Sequence, residues 1–195
     1  MAPKLSKSDF PIFSKEADRD YLLARLIHFL GAAFQSRAGF FAQQACEKYL
    51  KALSVQQSGT YLGIHKLLEL AKVCEPYGNY FSDKETLRIL QQFDVFDQVG
   101  RYGGAANYDP VSKGQVSVGG GVTFNQSPDF EIVGAWYWSD QCLQDLDNIV
   151  FHMRAYLNFS NTNYADELRM LLQKDQRCHL AATELWAKVG DGEKG

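Results

Sequence analysis

Residues that commonly build reactive sites are sparse in this 195-residue chain, which has only four cysteines, four histidines and five prolines. Cys46, Cys74, Cys142 and Cys178 stand far apart, with no CxxC and no histidine at ligand spacing. That spacing argues against a zinc site or a disulfide framework and predicts small, reduced, buried side chains. No run approaches the ~20 apolar residues of a membrane-spanning helix. The opening MAPKLSKSDFPIF lacks the apolar centre of a secretion signal. A cytoplasmic protein without membrane contact is therefore expected. An excess of one charge is missing too, since 20 Lys and Arg face 23 Asp and Glu for a net charge of −3. A broad basic surface for nucleic acid is excluded, although a local patch is not. The motifs GxSxG, HExxH and GxxxxGK[ST] are absent. The glycine triplet at 119–121 precedes neither a lysine nor a helix start, so it reads as a flexible turn. No cofactor and no metal are expected.

What is present is a helical pattern with one interruption. Hydrophobic residues make up 46% of the chain and aromatics 13%, enough for a real core and incompatible with disorder throughout. Tyr21, Leu22, Arg25, Leu26 and Phe29 recur at helical spacing and predict a first helix from Lys15, capped by Ser14. Residues 1–14 read as an irregular tail. A second helix spans about 33–58 and stops at Gly59. A third spans about 64–74. Ser82 and Glu85 form a capping box for a fourth, which ends near Arg101 and Tyr102. Between residues 103 and 138 the chain turns rich in glycine and aromatics, and QVSVGGGVTF predicts a β-hairpin. Trp136, Tyr137 and Trp138 alternate along a third β-like run, so at least one should face outward unless covered. Helical spacing resumes after Ser139 and again beyond about Tyr164. The expected fold is an all-α, up-and-down helical bundle with a β-hairpin insertion and a C-terminal helical extension. The bundle would occupy 15–160, with the insertion at 103–138 and the last helix at 161–189.

The segment QQACEKYLKAL, Gln43 to Leu53, carries the most information. It sets Gln44, Glu47, Lys48 and Lys51 near one side of a helix, with an apolar face opposite. Together with ADRDYLLAR before it, the His65 that opens HKLLEL, and a helix ending in RY, it resembles the HEPN family (higher eukaryotes and prokaryotes nucleotide-binding). The resemblance spans about Ala17 to Tyr102, with the helix after Ser139 as the last bundle member. It implies a helical bundle, a homodimer, nucleotide or RNA as ligand, and a nucleotidyltransferase as a toxin–antitoxin partner. Many family members are metal-independent RNases that carry an Arg followed, after four to six residues, by a His. An arginine there can grip the scissile phosphate through its fork, and a histidine can move the proton.

Arg101 matches that arginine. The histidine is missing, because Ala106, Asn107 and Tyr108 occupy the following positions and no His occurs between His65 and His152. Arg101 to Tyr108 instead resembles the Arg…Tyr arrangement of toxins modified on tyrosine by their antitoxin. The resemblance-based site is Glu47, Lys48, Lys51, Arg101, Tyr102 and Tyr108 for nucleotide or RNA. Glu47 would orient Arg101, and Arg101 with His65 are the catalytic candidates. Against these roles, Arg101 is equally a helix C-terminal cation, and His65 a capping or packing residue at a helix start. His28, His152 and His179 read as partly buried helix residues. An RNase toxin using Arg101, and a non-catalytic dimerisation or protein-interaction module, are the competing readings.

Overall fold

The computed structural model describes residues 5–30, 34–102, 115–118, 122–125 and 138–158. Five α-helices lie among them: α1 Phe10–His28, α2 Gln35–Ser58, α3 Leu67–Cys74, α4 Lys84–Tyr102 and α5 Asp140–Ala155. Two four-residue strands, β1 Gln115–Val118 and β2 Val122–Asn125, pair antiparallel with Val116 opposite Phe124. The remainder of 103–137, the glycine triplet and the predicted last helix lie outside the described residues.

The first helix starts earlier than its apolar spacing suggests. A short 3-10 turn, Lys7–Asp9, is held by a capping box between Ser6 and Asp9, and α1 follows at once. Pro11 is tolerated because the first helical turn needs no amide donor from it. Ser14 is no cap; it is buried inside the helix, and its hydroxyl donates to the Pro11 carbonyl. The fourth helix also differs from expectation at its start. Asp83, not Ser82, accepts the amides of Glu85 and Thr86, each at 3.0 Å. A carboxylate accepts both amides at once and suits the positive end of the helix, whereas the Ser82 hydroxyl donates back to the Asn79 carbonyl. The stop at Gly59 (φ 69°) is as the sequence predicts, and the helix that resumes after Ser139 is capped by the Ser139 side chain, which accepts the Cys142 amide.

Helix directions follow from side-chain partners. Asp18 and Asp20 of α1 meet Tyr49 and Lys48 of α2, so the two run antiparallel. Gly39 of α2 faces Phe96 of α4, and Gln92 and Arg88 of α4 face Cys142 and Asp145 of α5. Arg154 of α5 reaches Asp18, while Asp147 takes both Arg25 and the Tyr21 hydroxyl. The long helices α1, α2, α4 and α5 thus alternate in direction, as an up-and-down bundle requires. Its core gathers Tyr21, Tyr49, Leu50, Leu53, Phe93, Phe96 and Leu146, all fully buried. Trp138 joins them. It is covered by the bundle, its ring tilted or edge-on to Phe93 and Phe96 at 6.0 and 5.9 Å, and its Nε1–H donates to His28 Nδ1 at 3.0 Å.

Cys46, Cys74 and Cys142 are buried, as expected; Cys178 lies outside the described residues. Burial pushes the Cys46 thiol far up and the Cys74 thiol up to about 12, which keeps both protonated and unreactive.

Two positions test this packing. A Cβ on Gly39 would lie 2.3 Å from the Phe96 ring, so Gly39→Ala is expected to destabilise by roughly 1–3 kcal/mol. Adding Phe96→Leu should recover part of that loss in urea unfolding. Arg154→Met removes a cationic partner of the buried Asp18 carboxylate and should cost roughly 3–5 kcal/mol in the same assay.

Candidate functional site

The site grows out of the connection between α2 and α3. After Gly59 the chain does not leave the bundle, and residues 60–66 retrace α2 towards its N-terminus. The Thr60 carbonyl accepts from Ser54, Tyr61 lies over Lys51, and the His65 carbonyl accepts from Gln43 at 3.4 Å. Extended backbone covers in seven residues what α2 covers in more than ten, since a strand rises about 3.3 Å per residue and a helix 1.5 Å. His65 is thereby laid beside Glu47, near the middle of a 24-residue helix.

Glu47 is the hub. Its Oε1 accepts from Lys51 Nζ at 2.7 Å and meets His65 Nδ1 at 3.0 Å, while Oε2 accepts from Gln43 Nε2 at 3.2 Å. The side chains of Glu47 and Lys51 are 6% and 4% exposed, so this ion pair is not the solvated surface pair that i,i+4 spacing suggests by default. His65 is 60% exposed. A carboxylate paired with lysine offers only lone pairs, so the Nδ1 of His65 carries the proton and donates. Its Nε2 has no protein partner among the described residues. Lys51 also lies 5.1 Å from the Tyr61 ring centroid, a cation–π contact in a desolvated place.

Asp94 of α4 completes the local frame. Its carboxylate accepts the Leu67 amide at 2.9 and 3.1 Å and so caps α3, directly after His65 and Lys66. Burial lifts its carboxyl to about 6, against the opposing pull of the Leu67 amide and of Lys66.

The structure brings Glu47, Lys51 and His65 together and sends Lys48 elsewhere. Lys48 turns to α1 and pairs with Asp20. Glu47 is engaged by Gln43, Lys51 and His65. Arg101 follows Phe96 by five positions, and Glu47 follows Gly39 by eight. On antiparallel helices this sets them on the order of 15–20 Å apart along the axes. The side chains of Arg101 and Tyr102, and all of Tyr108, lie outside the described residues. His28 is bound between Trp138 and Asp140, and His152 stacks on Tyr80 at 4.3 Å; His179 lies outside the described residues. Gln43 and Asp94 went unnoticed in the sequence. Gln43, Glu47 and Lys51 repeat every four residues, a signal that could have found the first. Asp94 has no comparable spacing. Among the described residues no cluster of His, Cys, Asp or Glu could hold a metal, and no helix is long and apolar enough to cross a membrane.

These helices and this polar cluster characterise an all-α bundle with an ordered histidine at its second connection. The HEPN domain profile matches residues 14–118, more than half of the chain, and the protein belongs to the HEPN family. Membership associates it with nucleotides or RNA, in a family whose members are often dimeric. The match runs past Tyr102 to the end of β1, further than the motifs alone reach. No curated protein and no solved structure matches the chain.

The Asp94 carboxyl makes a testable pH dependence. Its native value is raised, so between about pH 4 and 6 the folded chain holds a proton that the unfolded chain has lost. The contribution of this group to stability is therefore present below about pH 4 and falls by up to about 3 kcal/mol as pH rises through 6. Asp94→Asn should remove that slope in unfolding measured from pH 4 to 7.

Proposed function

We propose that this chain is a HEPN-type nucleotide- or RNA-binding protein that acts with a nucleotidyltransferase or similar partner in a toxin–antitoxin-like pair, as a cytoplasmic homodimer. Its working unit would be the bundle at 15–160, carrying 103–138 as a β-hairpin insertion, with a helix at 161–189 packed on it. The observation that carries the reading is the buried Glu47–Lys51 pair, which presents His65 at the surface of a family bundle associated with nucleotides. Such a pair is costly to desolvate and contributes little net stability, so its presence beside an exposed imidazole favours a binding role.

Arg101, Lys48 and Lys51 would supply positive charge, with Tyr102 and Tyr108 alongside. Lys51 acts from beneath the surface, as a fixed charge behind His65. Lys48 must release Asp20 to touch a ligand.

A fluorescent ATP analogue and a short single-stranded RNA, titrated against the full chain, test this. At least one should bind, and Arg101→Ala should weaken it ten-fold or more. Affinity unchanged by that substitution sinks Arg101 as a contact.

The orientation of His65 by Glu47 favours a second reading, a metal-independent RNase in which His65 stands in for the missing histidine and Arg101 holds the phosphate. RNA cleavage in EDTA that is lost in both Arg101→Ala and His65→Ala would support it. Cleavage equal in wild type and both variants would assign the activity to something else.

A further inference from the structure

Building on the homodimer proposed above, we propose that its interface is the outer face of α1, where Ile12, Glu16, Arg19 and Leu23 pair with the same four residues of an antiparallel second copy. The inner face of α1 packs into the bundle, with Phe10, Ala17, Tyr21 and Ala24 buried there. The opposite side is open. Ile12 and Leu23 are 61% and 39% exposed, and the side chains of Glu16 and Arg19 50% and 60%. The exposed large apolar side chains among the described residues are Ile12, Leu23, Phe29, Leu30 and Phe34, and all belong to α1 or to the connection after it. Apolar exposure is thus gathered on one element rather than scattered singly over the surface.

Spacing makes a seam of these four residues. At 3.6 residues per turn, steps of four, three and four keep positions 12, 16, 19 and 23 within about 60° of one another. That is the a and d spacing of a coiled coil, whose knobs fit the holes of a facing helix. The steps also read the same from either end. An antiparallel copy therefore meets the seam in register about a two-fold axis between Ala17 and Asp18. Ile12 then lies against the partner's Leu23, and Glu16 against the partner's Arg19. Symmetry repeats both contacts.

The chemistry of the seam matches its spacing. Apolar, acid, base, apolar becomes apolar, base, acid, apolar when reversed, so apolar meets apolar and acid meets base in every layer. A parallel copy in register would instead set acid on acid and base on base, which selects against it. Glu16 and Arg19 also bond each other within the helix. A carboxylate has two oxygens and a guanidinium five N–H groups, so each can keep that bond and make another across the seam. The seam is about 16 Å long. That is short for an obligate interface, so the dimer should form reversibly.

Sedimentation velocity of the full chain over a range of concentrations tests this. Wild type should pass reversibly from monomer to dimer. Glu16→Arg places like charges opposite one another in the middle of the seam, and so does Arg19→Glu. Each should weaken dimerisation at least ten-fold, with helix content by circular dichroism unchanged because both positions are exposed. The double variant Glu16→Arg/Arg19→Glu restores opposite charges and should dimerise within two-fold of wild type. An equimolar mixture of the two single variants should form a heterodimer, because one then carries two bases and the other two acids. A dimer of wild-type strength in both single variants overturns this interface and leaves the homodimer reading standing. So does a failure of both the double variant and the mixture to associate while wild type dimerises. A wild-type chain that stays monomeric at every concentration overturns the interface and the homodimer together.

Discussion

Two aspartate–arginine clasps hold the last described helix of the bundle to the first. Asp18 of α1 takes Arg154 of α5, and Asp147 of α5 takes Arg25 of α1. Each helix gives one acid and one base, seven residues apart, so the pairs match only when the helices run antiparallel in this one register. Each clasp is closed by a tyrosine hydroxyl, Tyr49 on Asp18 and Tyr21 on Asp147. Ion pairs with so little water are poor sources of net stability but severe about geometry, because a slip would strand a buried charge. Such a slip would break both clasps at once.

Further features hang on that register. With α5 set against α1, Trp138 is carried into the gap above Phe93 and Phe96, where His28 and Asp140 take up its indole proton and the far side of the imidazole. The C-terminal end of α5 then meets the end of α2, where Gln56 bonds the Tyr156 carbonyl and the Asn158 amide. α2 is thus enclosed by α1, α4 and α5, and a further side faces the retracing segment. Glu47 and Lys51 lie on that side. The bundle supplies a rigid floor, and the segment 60–66 lays a mobile type of chemistry, an imidazole, upon it.

Much of this was legible in sequence. Apolar spacing gave the helices of the bundle, Gly59 and Ser139 gave two of their ends, and QQACEKYLKAL with the following histidine gave the family. Those signals are local, set by helical period and by the backbone groups that a helix end leaves open. The errors were local as well. Pro11 disguised the first turn of α1, and Ser82 resembled a cap that Asp83 supplies. Which motif residues meet was not legible: Lys48 and Lys51 are neighbours in the pattern, while helix packing sends one to Asp20 and the other to Glu47.

By itself the sequence determined an all-α bundle, its helical periods and its membership of the HEPN family, because these depend on contacts within a few residues. Only the tertiary structure decided that Lys51 is buried and Lys48 spoken for by Asp20, that Trp138 is core rather than an exposed aromatic, and that His65 meets Glu47 through its inner nitrogen. Those outcomes depend on which distant groups exclude water from one another. A charge is screened and ordinary at the surface, and strongly constrained once its neighbours have closed around it.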